Sequence, residues 1–206
     1  MVVVWPAIHA ERQALLADLE SLSEQQWQTP SLCSQWTVKQ VFGHVIATAQ
    51  MTPPKFLAGM LGSGFNFAGF IGKNADRFSA GTPAEMLTAY RGMQHRTNHP
   101  PGPNDTWLGE AIVHAEDIRR SLGLHRDYPV DAVTQIADSY KGSNLVIGAK
   151  NRIAGVTLKA ADTNWSHGTG PEATGRAIDL LLAMTGRSAG LDQLTGDGVE
   201  LLRARA

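Results

Sequence analysis

Apolar residues recur at helical spacing through most of the first 125 positions of the chain. Ile8, Leu15, Leu19 and Leu22 fall on one stripe of a segment from about Pro6 to Leu22, where Pro6 suits a first-turn position. Thr37-Val-Lys-Gln40 has the capping-box pattern and predicts a helix running to about Met51. A second box, Thr82-Pro-Ala-Glu85, opens a third helix, along which Met86, Tyr90, Met93 and Thr97 repeat at helical spacing. The breaker run His99-Pro-Pro-Gly-Pro103 precedes a fourth helix, from about Asp105 to about Gly123. Amphipathic helices of this size predict a four-helix bundle.

Two stretches depart from that pattern. Residues 53–81 intersperse Gly59, Gly62, Gly64, Gly69, Gly72 and Gly81 with Phe56, Phe65, Phe67, Phe70 and Phe78. They read as a crossover with short helical turns, either a packed connection or a flap gating a substrate. His125-Arg-Asp-Tyr-Pro129 reads as a boundary, giving an expected bundle over 1–127 and a second domain over 128–206. The junction is short and not Gly/Ser-rich, so the second domain is expected to pack rather than swing. In it, a helix starts near Val130, Val156–Asp162 alternates like a strand, Trp165–Gly170 forms a turn, and a helix runs from about Thr174 to Met184, stopped by Gly186. The fold class is therefore mainly α, a helical bundle followed by a small α+β C-terminal domain.

The fourth helix carries the most informative chemistry. Glu110 and His114 stand one turn apart and share a face. Glu116, Arg119 and Arg120 form the flank read as solvent-facing, with Trp107 and His114 roughly opposite. Leu108, Ala111, Ala115, Ile118 and Leu122 make an adjoining apolar stripe. A carboxylate and an imidazole thus point inward, which is costly unless they are paired or bind metal. On the second helix, His44 shares the inward flank with Val41, Val45 and Thr48. His44, Glu110 and His114 form a candidate three-residue metal site; the alternative is a set of hydrogen-bonded core residues.

Composition narrows the classes. With 206 residues, a formal net charge of -1, 43% hydrophobic and 18% charged residues, the chain reads as a globular protein with no polyanion partner, so no nucleic acid is expected. No apolar run has membrane-spanning length, and Met-Val-Val-Val-Trp-Pro lacks the basic start and apolar core of a signal peptide. The single cysteine, Cys33, excludes an intrachain disulfide and fits a reducing cytoplasm. Cys33 is read either as a buried structural thiol or as a neighbour of the site. His9, His95, His99, His125 and His167 are read as surface or locally hydrogen-bonded. Trp27, Trp36 and Trp107 are read as packing anchors, with Trp107 also on the site-facing stripe.

Three segments carry a family resemblance: Ser31-Leu-Cys-Ser-Gln-Trp-Thr-Val-Lys-Gln-Val-Phe-Gly-His44, Gly109-Glu-Ala-Ile-Val-His-Ala-Glu-Asp-Ile-Arg-Arg120, and the tail motifs Leu158-Lys-Ala-Ala-Asp162, Trp165-Ser-His-Gly-Thr-Gly-Pro171 and Leu180-Leu-Leu-Ala-Met-Thr-Gly-Arg187. Together they resemble the mycothiol-dependent maleylpyruvate isomerase family, part of the DinB/YfiT-like metalloprotein superfamily. Residues 53–81 show no such match. The resemblance implies a DinB-like four-helix bundle, a divalent metal (zinc in the namesake, with nickel, manganese or iron as alternatives), mycothiol as the thiol cosubstrate, and an actinobacterial source. By position, His44, Glu110 and His114 would be the metal ligands. Asp117 would be either a partner of His114 or a simple salt bridge. Arg187 would be either the residue meeting a substrate carboxylate or a cation at a helix C-terminus.

Three protein ligands leave metal positions open, as in catalytic sites. A thiol entering such a position ionises and becomes a nucleophile toward a small electrophile. The expected activity is an S-transferase, which stops after addition, or a maleylpyruvate-type cis–trans isomerase, which adds, rotates and eliminates. Two other classes fit the same residues: a non-haem iron oxygenase, which uses two histidines and a carboxylate, and a non-enzymatic metal-binding or stress-response module.

Overall fold

In the computed structural model, which describes residues 1–33, 35–145 and 147–206, the first part of the chain folds into helices α1 (Val4–Glu20), α2 (Glu24–Trp27), α3 (Val38–Gln50), α4 (Pro53–Gly62), α5 (Phe67–Ser79), α6 (Pro83–Arg91) and α7 (Asn104–Ser121). The two capping boxes read from sequence set where α3 and α6 begin. Thr37 Oγ1 accepts from the Gln40 backbone N–H at 3.3 Å while Gln40 Oε1 accepts from that of Thr37 at 3.0 Å. Thr82 and Glu85 make the same reciprocal pair. The core of this unit joins Leu15 and Leu19 of α1, Trp27 of α2, Val38, Phe42 and Ile46 of α3, Tyr90 of α6 and Ile118 of α7. The Phe42 ring meets Trp27 at 5.7 Å and Tyr90, edge-on, at 5.0 Å.

Residues 53–81 are more than a crossover. They form two helices, and α5 packs along α3. Glycine makes this contact close. A Cβ on Gly43 would lie 2.7 Å from the Ala75 carbonyl oxygen, and one on Gly59 would overlap the Phe70 ring. Of the glycines that interrupt the helical pattern in residues 53–81, Gly59 serves interhelical approach, whereas Gly62, Gly64 and Gly72 face open space. The third helix is correspondingly shorter than its apolar repeat: α6 ends at Arg91, and Met93 is buried from the turn after it.

The solvent face assigned to the fourth helix is corrected for two of its three residues. Arg119 is fully buried and Glu116 is 4% exposed. Arg119 donates from Nη1 to Glu11 at 2.5 Å and from Nε to Asp18 at 2.7 Å, both on α1. Glu116 accepts from Arg120 at 2.7 Å. For Arg119 the sequence pattern missed this because the compensating carboxylates lie about a hundred residues away on α1.

The remainder comprises α8 (Val130–Tyr140), α9 (Ala149–Arg152), strands β1 (Thr157–Ala160), β2 (Ser166–His167) and β3 (Glu172–Gly175), then α10 (Ala177–Met184), α11 (Ser188–Leu191) and α12 (Gly198–Arg203). The sheet order is β2-β1-β3. β1 pairs antiparallel with β2 (Leu158 opposite His167) and parallel with β3 (Leu158 opposite Ala173). The helix expected from Thr174 starts three residues later, because Thr174 belongs to β3 and Asp162 Oδ1 accepts from the Ala177 N–H at 2.9 Å. Leu180, Leu181, Leu182 and Met184 are all fully buried, and Gly186, at φ +83°, ends the segment. The fold is mainly α with a small sheet, as the sequence predicts. The chain divides into two compact units, Val4–His125 and Arg126–Ala206 with Met1–Val3. Among the described residues, no helix is long and apolar enough to cross a membrane.

Removing one partner of a buried ion pair leaves an uncompensated charge, at a cost of about 3–5 kcal/mol. Arg119→Ala is expected to lose stability on that order in urea unfolding. Arg91→Ala, which breaks the exposed pair with Glu20, is expected to change it by less than about 1 kcal/mol. Equal effects would show that the buried pair carries no special weight.

Candidate metal centre

α7 supplies Glu110, His114 and Asp117 from successive turns, and α3 supplies His44 and Thr48, also one turn apart. The two helices face each other, so these side chains converge. His44 Nε2 lies 2.5 Å from Glu110 Oε1, which also accepts from Thr48 Oγ1 at 3.2 Å. His114 Nε2 is 3.5 Å from Glu110 Oε2, and the two imidazoles meet edge-on with centroids 4.8 Å apart. Trp36 backs His44 at 5.2 Å. His114 Nδ1 lies 2.9 Å from Oδ2 of Asp117, which is fully buried. That contact fixes the ring with Nδ1 toward Asp117 and Nε2 toward Glu110. The Asp117 carbonyl accepts from the Leu32 N–H at 3.2 Å, tying the loop before α3 to α7. Cys33 in that loop is half-buried and hydrogen-bonds His114.

Burial works against charge on both Glu110 and His114, but their proximity outweighs it. Despite desolvation, the charges of His114 and His44 hold the Glu110 carboxyl well below the usual range. Despite desolvation, the Glu110 charge and the hydrogen bonds to Asp117, Cys33 and Glu110 hold His114 well above its ordinary value.

One ligand atom from each of His44, Glu110 and His114 lies within 4.8 Å of the others. Donors around a tetrahedral zinc stand about 3.3 Å apart, close to the 3.5 Å between Glu110 and His114. The shorter His44–Glu110 contact would need to open slightly. A borderline divalent ion suits two imidazoles and a carboxylate, and Asp117 supplies the carboxylate that commonly backs a ligating histidine. The residues fit such an ion. Cys33, His114 and Asp117 form a second cluster of this kind, sharing His114.

The structure thus brings together the three residues singled out by sequence and sets Asp117 against one of them. Arg187 belongs to the other unit, where its Nη1 donates to the Thr185 carbonyl at 3.0 Å, just past the end of α10. That contact matches the C-terminal-cation alternative. Sequence reasoning passed over Thr48 as a partner of Glu110 and the contact of Trp36 with His44; for Cys33 it left a place beside the site open, without naming the bond to His114. Thr48 had a signal, since it lies one turn from His44. The other two sit before α3, where helical spacing says nothing. His99, read as local, does bond locally (Nδ1 to the Pro100 carbonyl, 2.5 Å), but it also lines a cleft beside Glu110 together with Trp5 and Trp107.

A helical bundle with two histidines and a carboxylate converging at its centre defines a class of candidate metalloproteins. Within it, residues 8–98 match the family described as the mycothiol maleylpyruvate isomerase N-terminal domain, so the family resemblance read from the sequence is borne out. The match runs through residues 53–81, which the sequence motifs alone did not connect to the family. An uncharacterized protein found in two strains of Mycobacterium tuberculosis is 26% identical over 218 residues, covering 88% of this chain and 84% of its own. The fold is similar to the crystal structure of the mycothiol-dependent maleylpyruvate isomerase (TM-score 0.65) and to that of its histidine-to-alanine mutant (TM-score 0.68). In each case identity is 12%, over 94% of this chain and 91% of the other.

If Asp117 orients His114 as a ligand, Asp117→Asn is expected to lower zinc affinity by roughly 10–100-fold, measured by competition with a chromophoric chelator. An unchanged affinity would show that the Asp117 contact is only structural.

Proposed function

We propose that this chain is an enzyme that uses a divalent metal and a low-molecular-weight thiol, mycothiol, as an S-transferase or a maleylpyruvate-type isomerase on a small electrophile. The observation carrying this reading is the convergence of His44, Glu110 and His114, with Asp117 on the outer nitrogen of His114. The match over residues 8–98 supports the choice of thiol. His44, Glu110 and His114 would hold the ion, zinc first and nickel, manganese or iron as alternatives. Bound there, the ion supplies the Lewis acidity that ionises a thiol at neutral pH.

The chain's own residues then hold and orient. Asp117 keeps the His114 Nδ1–H engaged, leaving Nε2 as the donor. Thr48 hydrogen-bonds one Glu110 oxygen, restricting how that carboxylate turns. Tyr90 and Leu15 of the core wall the neighbouring cleft and limit water around the site. The donor set also suits a non-haem iron oxygenase, and the family match favours the thiol reading over it.

The purified protein is expected to hold about one divalent ion per chain by elemental analysis, and His114→Ala to hold little, because a remaining pair of ligands fixes geometry poorly. Equal metal in both would remove the three-ligand site. Turnover of an electrophile is expected only with mycothiol present. Full activity without thiol, or oxygen consumption in its place, would reject the thiol chemistry.

A further inference from the structure

The outer end of the α4–α5 hairpin is apolar and exposed. Leu57 and Leu61 of α4 are each 58% exposed, Phe65 of the intervening turn 67%, and Phe67 at the start of α5 44%. α5 meets Gly43 of α3 through Ala75 and Ser79, in its last two turns, so the turn at residues 63–66 lies at the far end from that contact. Phe56 of α4 packs edge-on against Phe70 at 5.7 Å and ties the two helices together. Phe65 has φ +61° and is the one non-glycine residue in the left-handed region among the described residues. An aromatic residue rarely takes that conformation. Its presence where glycine would fit more easily points to a use for the exposed ring.

The backbone of this tip is closed on itself. The N–H groups of Ser63, Gly64, Phe65 and Asn66 donate to the carbonyls of Gly59, Leu61, Met60 and Ser63 at 2.8–3.2 Å. The Ser63 hydroxyl donates to the Met60 carbonyl at 3.0 Å, and Asn66 Oδ1 accepts from the Gly69 N–H at 2.9 Å. The turn can therefore leave water with these groups still bonded, as a hydrocarbon phase requires. Charge behind the tip is of one sign. From Thr52 to Ala75 the charged residues are Lys55 and Lys73, both exposed, with no carboxylate. Along their helices they stand about 9–12 Å behind the turn, close to the ~5–10 Å to which interfacial helices sink.

We propose that the α4–α5 hairpin is a peripheral membrane-binding element. It inserts Leu61, Phe65 and Phe67 tip-first into a phospholipid surface, with Leu57 following at the headgroup boundary. Lys55 and Lys73 then come level with anionic headgroups. A second copy of this chain is a poorer occupant. Two identical tips would bring like charges together with no carboxylate to offset them. Four large apolar side chains also fall short of the roughly 20–30 residues a side that a stable protein interface engages. The attachment is reversible, being far weaker than a spanning helix. It goes beyond the metal and thiol reading and needs neither.

Vesicle co-sedimentation of the purified full chain tests this. Vesicles of phosphatidylcholine mixed with phosphatidylglycerol are expected to bind the protein, and phosphatidylcholine alone to bind it on the order of tenfold more weakly. Added salt is expected to narrow that difference. Leu61→Ser combined with Phe65→Ser is expected to lower binding to the mixed vesicles about tenfold or more. Lys55→Gln combined with Lys73→Gln is expected to lower it about tenfold and to leave binding to phosphatidylcholine alone unchanged. Leu201→Ser, an exposed position on α12, is expected to change neither. Phe67→Ser gives the same reading if the Leu61/Phe65 variant loses its cooperative thermal transition. No sedimentation with the mixed vesicles, equal binding to both vesicle types, or binding unchanged in the folded tip variants would overturn the proposal. A dimer in sedimentation velocity that the tip variants dissociate, without vesicle binding, would overturn it and assign the face to a second copy.

Discussion

Helix α7 turns Glu110, His114, Glu116, Asp117 and Arg119 into the protein, and every one of these polar groups has to be met by a neighbour. The bundle is arranged around that demand. α1 answers Arg119 with Glu11 and Asp18, while α3 answers Glu110 with His44 and Thr48. The apolar core fills the space between these polar contacts, and its residues specify how closely the helices approach. One helix thus has two polar faces, one turned to α1 for an ion-pair network and one to α3 for a candidate reaction centre.

The two faces differ in freedom. Around Arg119 the partners are charge-assisted and close, which suits a fixed brace. Around Glu110 the contacts are uneven, short to His44 and longer to His114, and a partly open cleft adjoins them. A cluster whose donors are backed by Asp117 and Trp36 but not closed on every side can admit a ligand without dismantling the core.

Much of this is legible in the amino-acid sequence. Capping boxes at Thr37 and Thr82 and the breaker run before Asp105 locate three helices, because caps and breakers act through bonds between near neighbours. The inward Glu110, His114 and His44 come from helical periodicity. The features that stay hidden depend on distance in sequence. Arg119 and Glu116 look solvent-facing because charge normally is, and for Arg119 it is α1 that reverses the reading. Residues 53–81 look irregular because glycine weakens a helical pattern in isolation, whereas Gly43 and Gly59 are where helices touch. The strand at Glu172–Gly175 is absorbed into the next helix because four residues carry too little alternation to separate.

The hairpin of α4 and α5 joins two helices under very different constraint. α4 buries none of its residues and leaves Leu57 and Leu61 exposed. α5 rests against the backbone of α3 at Gly43, the residue just before His44. Away from Gly59, where a side chain would meet the Phe70 ring, sequence change along α4 can therefore accumulate without moving the imidazole. A single methyl at position 43 would act as a wedge, lifting α5 off α3 and turning the very peptide from which His44 projects.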